Sequence, residues 1–152
     1  MWSKSEKDKQ PLHILLVEDD DVDAEAVVRA FKKQQIDYPF TIVANGIEAL
    51  TVLRGEGEQS LPTPYIILLD LNMPRMNGIE FLGELRQDER LKRSVVFVLT
   101  TSNRDEDKLA AYNKQVAGYI LKSRTGEDFR HMITLLQSYH DIVEFWPQGT
   151  WQ

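Results

Sequence analysis

The sequence predicts a doubly wound α/β domain in which five parallel strands alternate with five helices. Three observations carry that prediction. Short continuous apolar runs recur at residues 12–17, 65–69, 95–99 and 117–121, the pattern of strands covered on both faces. Between them lie segments whose apolar residues return at helical spacing. The runs end on polar residues with chemistry of their own: Glu18 and Asp19, Asp70, Thr100, and Lys122.

The first ten residues are mostly polar and read as an N-terminal arm, with the domain over 11–144 and a tail over 145–152. The first strand is placed at 12–17. Asp20 or Asp21 then opens a helix, because an aspartate side chain accepts from the free amides of a first turn. Ala24, Val27, Val28 and Phe31 form its buried stripe, and Arg29, Lys32 and Lys33 face water. A shorter strand at 40–44 leads through Asn45-Gly46 into a helix carrying Ile47, Leu50 and Leu53. Residues 55–64 hold two glycines and two prolines and form a loop. The third strand, 65–69, delivers Asp70. The turn 73–78 leads to a helix with Ile79, Leu82 and Leu85 at helical spacing. After the strand at 95–99, Ser102 or Asn103 caps a helix whose first turn, Asp105-Glu106-Asp107, suits the positive end of the helix dipole. The strand at 117–121 precedes a last helix over 126–144.

Right-handed crossovers and a reversal of strand order bring the carboxyl ends of the first and third strands side by side. Glu18 and Asp19 then meet Asp70, with Thr100 and Lys122 in the same cleft. Crowded carboxylates repel one another and invite a divalent cation, and oxygen ligands suit Mg2+ or Mn2+. A carboxylate at Asp70 can also act as a nucleophile and form an acyl phosphate. Thr100 can hydrogen-bond one phosphoryl oxygen, and Lys122 can neutralise another as a point charge.

Composition narrows the classes. The 152 residues suit one domain, and the net charge of -6 argues against a general nucleic-acid surface. The absence of cysteine excludes disulfides, thiolate metal sites and cysteine nucleophiles. No secretory signal is evident, and no apolar run approaches the roughly 18 residues of a membrane span. The expected location is the cytoplasm, away from membranes. An alternation of Asp19, Asp21 and Asp23 suggests a calcium loop, but Ala24 stands where that loop needs glycine and Ala30 where it needs its last carboxylate. His13, His131 and His140 are isolated and fit no zinc motif.

Val17-Glu18-Asp19-Asp20, Leu69-Asp70-Leu71-Asn72-Met73-Pro74, Leu99-Thr100-Thr101-Ser102 and Gly118-Tyr119-Ile120-Leu121-Lys122 together resemble the receiver domain of two-component response regulators. The resemblance covers about residues 12–140 and implies the CheY-like, flavodoxin-like (βα)5 fold. It implies that Asp70 is the phosphoacceptor. Asp19, Asp70 and the backbone carbonyl of Asn72 would hold the metal, with Glu18 reaching it through water. Thr100 and Thr101, with Lys122, would serve the phosphoryl group. Thr100 and Tyr119 match the family's switch pair, whose rearrangement repacks the surface of the fourth helix, fifth strand and fifth helix. Ser123 stands where the family usually has proline. A cis bond before serine costs about 3 kcal/mol or more, so a trans bond or an altered loop is expected there.

The Lys122-Ser123 pair, the helix at 129–143 and the trailing Glu144-Phe145-Trp146-Pro147 resemble a narrower group: single-domain regulators that partner bacterial phytochrome histidine kinases. A sensor histidine kinase, of bacteriophytochrome type, is the partner this implies. In the last helix Phe129, Met132, Ile133, Leu136 and Val143 fit the core stripe. Leu135, Tyr139, Ile142 and Trp146 form a neighbouring apolar stripe, read as a homodimer contact over the alternative of a tail folded back on it. The expected protein is a stand-alone phosphorelay receiver, not an enzyme beyond its own phosphotransfer and slow self-dephosphorylation. Two other classes compete: a phosphorylation-independent interaction module on the same fold, and an aspartyl-nucleophile phosphatase. The phosphatase is disfavoured because Asn72 occupies the position of its second aspartate.

Overall fold

The computed structural model describes residues 10–122 and 125–145, with side chains in the last helix described from Arg130 onward. The Lys122–Ser123 peptide, the Phe129 side chain and the segments 1–9 and 146–152, Trp146 among them, lie outside what is described, so the expectations that fall there stay as stated.

The elements run β1 (His13–Val17), α1 (Asp21–Lys33), β2 (Phe40–Val43), α2 (Gly46–Arg54), β3 (Tyr65–Leu69), α3 (Gly78–Gln87), β4 (Val96–Thr100), α4 (Asp105–Asn113), β5 (Gly118–Leu121) and α5 (Thr125–Ile142). The five strands form one parallel sheet in the order β2-β1-β3-β4-β5. The order reverses at β1, so β1 and β3 are neighbours and a crevice opens past their carboxyl ends.

Alternation along each strand divides the core in two. Leu15, Val17, Ile67, Leu69, Val96 and Val98 pack with residues of α2, α3 and α4 on one face. Ile14, Leu16, Ile66, Leu68, Phe97 and Leu99 pack with α1 and α5 on the other. A strand buried on both faces must read as an unbroken apolar run, which is why β1 and β3 were visible in the sequence.

Local chemistry sets several helix starts, that of α1 as expected. Asp20 caps α1 by accepting from the amides of Val22 and Asp23, and Asn45 caps α2 by accepting from Glu48. Asn77 and Glu80 form a reciprocal capping box at α3. Gly78 permits the close approach that follows: a Cβ there would lie 2.7 Å from the Asp70 carbonyl oxygen and from Leu71 Cα.

Three local expectations are corrected. Ile47 is exposed, because Ala49, Leu50, Val52 and Leu53 form the buried stripe of α2. Arg104, not Ser102 or Asn103, stands at the cap position before α4, and it offers the helix no side-chain cap. Ser102 instead gives its hydroxyl to Asp107 Oδ2 at 2.5 Å. Val28 is only partly buried, while Ala24, Val27 and Phe31 line the core.

His13 and His140 serve the fold. His13 Nε2 lies 2.8 Å from Thr41 Oγ1. His140 lies 3.2 Å from Tyr38 Oη through Nδ1 and 3.0 Å from the Gln10 carbonyl through Nε2. Among the described residues, no helix is long and apolar enough to cross a membrane.

Candidate functional site

The site is built by two main-chain ties at the carboxyl edge. The Asp70 amide donates to the Val17 carbonyl at 3.0 Å, and the Glu18 amide donates to the Val43 carbonyl at 2.9 Å. These continue the β1–β3 and β1–β2 ladders past the ends of the strands. They hold the Glu18-Asp19 pair against Asp70. Carboxylate oxygens of Glu18, Asp19 and Asp70 all lie within 4.8 Å of one another. Asp19 is exposed, whereas Glu18 and Asp70 are buried.

Asp70 has two differently engaged oxygens. Oδ1 accepts from the Thr100 hydroxyl at 2.8 Å and from the Asn72 amide at 3.3 Å. Oδ2 faces Lys122 Nζ at 3.4 Å. Thr100 is the last residue of β4 and fully buried, paired in register with Leu121 of β5. The strand ends therefore place Thr100 and Lys122 on either side of one carboxylate.

Lys122 forms ion pairs with Glu18, with Asp23 Oδ2 at 2.9 Å and with Asp70. Burial alone would lower the lysine's pKa. The hydrogen bonds to Glu18 and Asp23 and the charge of Asp70 outweigh burial and raise it, so the amine stays protonated. Asp23, in the first turn of α1, reaches the cleft through this ion pair.

Burial pushes the Glu18 carboxyl up to about 7, with the Asp70 charge adding to the rise and Lys122 opposing it. Lys122 only partly offsets the burial of Glu18 and its repulsion by Asp70, and a hard cation would relieve what remains. The donor set of three carboxylates with no sulfur or imidazole fits Mg2+ or Mn2+.

The Glu18 shift sets a pH dependence. Its pKa in the folded chain lies above the ordinary 4.5. The fold therefore favours neutral Glu18, and that contribution, complete below about pH 4.5, is lost as pH climbs through about 7. A cation needs the ionised form. Its affinity should thus rise by up to about tenfold per pH unit below pH 7 and level off above. Calorimetric titration with MgCl2 from pH 5.5 to 8 should show this slope, and Glu18→Gln should flatten it.

A second network leads away from Asp70. The Ser102 amide lies 3.4 Å from Thr100 Oγ1, and Tyr119 donates its hydroxyl to the Ser102 carbonyl at 2.9 Å. Ser102 also holds Asp107 in the first turn of α4. Hydrogen bonds thus run from the carboxylate through Thr100 to the β4–α4 loop, where Tyr119 and α4 converge. Thr101 is exposed at the start of this loop.

The neighbouring stripe of α5 divides. Leu135 and Ile142 are exposed, at 47% and 78%. Tyr139 is half-buried, edge-on to Phe97 and Phe145 with centroids 5.8 Å from each. Phe145, just past the helix, covers part of this stripe.

Fold and cleft together define a doubly wound α/β domain with an acidic cluster, compatible with a divalent cation, beside a buried carboxylate at the switch point of its sheet. The chain belongs to the family of response regulators: the model described as Response regulator receiver domain matches residues 14–134. Response regulator Rcp1 of Synechocystis sp. is 39% identical over 136 residues, spanning 89% of this chain and 92% of that protein. The crystal structure of its Mn(2+)-bound form superimposes with a TM-score of 0.76, covering 90% of this chain and 99% of that one. The phosphorylated cyanobacterial phytochrome response regulator RcpA is 32% identical, with a TM-score of 0.79 over 91% of this chain and 100% of that one. The bacteriophytochrome response regulator RtBRR is 30% identical, with a TM-score of 0.70 over 93% of this chain and 87% of that one.

Proposed function

We propose that Asp70 accepts a phosphoryl group from the phosphohistidine of a sensor kinase, and that this kinase is a bacteriophytochrome acting in the cytoplasm. The observation that carries the chemistry is the setting of Asp70: a buried carboxylate between a threonine hydroxyl at 2.8 Å and a lysine ammonium at 3.4 Å. The phytochrome link rests on the likeness to Rcp1, RcpA and RtBRR.

In this reading Asp19, Asp70 and the Asn72 carbonyl would hold Mg2+, or Mn2+ in its place, with Glu18 acting through water. Such a cation would supply charge to offset the phosphoryl oxygens during transfer. An Asp70 oxygen attacks phosphorus and forms the P–O bond as the P–N bond breaks. The bonding pair stays with the imidazole nitrogen. Lys122 neutralises one phosphoryl oxygen. Thr100 leaves Asp70 to donate to another, and the shift passes through Ser102 and Tyr119 to α4 and β5. The domain is assigned to 11–144, and its catalysis is limited to its own phosphotransfer and dephosphorylation.

Intact mass tests this reading. Incubation with acetyl phosphate and MgCl2 should add one phosphoryl group, absent in Asp70→Asn and absent without the metal. If neither this adduct nor a beryllofluoride complex forms, the phosphorylation-independent interaction module is the better account.

A symmetric dimer through Leu135 and Ile142 is the second part of the proposal, supported by their exposure on one stripe of α5. Leu135→Glu with Ile142→Glu should shift elution on size exclusion from dimer to monomer. An unchanged elution volume would remove this helix from the contact.

A further inference from the structure

Asp23 is the acidic side chain of the cleft to which phosphotransfer, as described above, gives no task. It stands in the first turn of α1, and its Oδ2 accepts from Lys122 Nζ at 2.9 Å, nearer than Asp70 Oδ2 at 3.4 Å. The carboxylates placed to share a cation are Glu18, Asp19 and Asp70, without Asp23. A cation drawing on Glu18 and Asp70 therefore leaves Asp23 as a standing partner of the ammonium.

We propose that Asp23 is a positioning residue that parks Lys122: a resting counter-ion from which the ammonium must be drawn before it can pair with an incoming phosphoryl group. This rests on the reading of Asp70 as phosphoacceptor. The competition is direct, since an ammonium is a compact point charge whose three N–H groups are shared among its oxygen partners. Asparagine at position 23 keeps the shape and removes the charge, and Lys122 then turns to the phosphoryl oxygen at lower cost. The Asp23 side chain is 43% exposed, so water screens the pair and the effect is moderate. Asp20, not Asp23, caps α1, so the substitution leaves the helix start intact.

Beryllofluoride with MgCl2, followed by 19F NMR on the full chain, reads the competition. Asp23→Asn should bind the probe about fivefold more tightly than wild type. Asp23→Glu should return to the wild-type value. Asp21→Asn is the control for mere loss of negative charge, because Asp21 carries the same charge in the same turn, exposed. It should change nothing. Equal or weaker binding by Asp23→Asn overturns the proposal, and so does an equal gain from Asp21→Asn. A wild-type chain that binds no beryllofluoride and forms no acetyl phosphate adduct brings down the phosphoacceptor reading itself. Wild-type binding with no gain in Asp23→Asn overturns the parking role alone.

Discussion

Lys122→Met is expected to lower stability by about 3 kcal/mol at pH 8 in the presence of a chelator. The lysine side chain is 14% exposed, and those of Glu18 and Asp70 are 3% and 8% exposed. Removing the ammonium leaves two buried carboxylates facing each other with no cation. Breaking such a pair from one side costs more than the pair itself contributes, because the remaining charge is stranded. Glu18, whose carboxyl burial already pushes up to about 7, can escape by taking up a proton, so the loss should shrink as pH falls. At pH 5.5 the gap to wild type should close by half or more. Millimolar MgCl2 at pH 8 should recover much of it, since the cation replaces the lost charge. Urea denaturation of both proteins under the three conditions measures this. A deficit independent of both pH and metal would mean that Lys122 contributes packing rather than charge.

The carboxyl edge was legible because the sequence writes it twice. Each buried strand is an apolar run, and each run stops at the residue that enters the cleft. Glu18, Asp70, Thr100 and Lys122 are thereby marked without any knowledge of their neighbours. The polar partners are a different matter. Asp23 and Lys122 are separated by 99 positions, and nothing in helical periodicity distinguishes an aspartate that reaches a lysine from one that reaches water. Ser102 is a parallel case. A serine before an acidic turn reads as a cap, yet Arg104 occupies the cap position and the Ser102 hydroxyl goes to a side chain. Tyr139 shows the limit on the apolar side. Its spacing matched an exposed stripe, while Phe97 from β4 and Phe145 from beyond the helix meet its ring. Periodicity reports which face is apolar, not which element comes to cover it.

Arg86 is the largest structural effect hidden in this way, and Arg86→Ala should lower the melting temperature by roughly 10 °C, near 3 kcal/mol for a chain of this size. In the sequence it is a basic residue in the last turn of α3, where a solvated side chain helps the helix dipole. In the structure its guanidinium donates to four main-chain carbonyls. Nε reaches Lys114 at 2.8 Å, Nη1 reaches Lys92 and Ser94 at 2.8 Å each, and Nη2 reaches Gln115 at 2.9 Å. One side chain thus ties the end of α3 to the loop before β4 and to the loop after α4. Hydrogen bonds from a charged donor contribute about 1.5–3 kcal/mol each, and the four are not additive. Alanine would leave the carbonyls to water where water can enter and unsatisfied where it cannot. Lysine cannot substitute, because its donors radiate from one atom while the guanidinium spreads them in a plane. Arg86→Lys should therefore recover less than half of the loss in a thermal melt. Hydrogen exchange should then quicken first at the amides of Lys114 and Gln115, which close the end of α4 by donating to Ala111 and Tyr112. If the melting temperature of Arg86→Ala stayed within about 2 °C of wild type, the four bonds would contribute no more than their exchange with water.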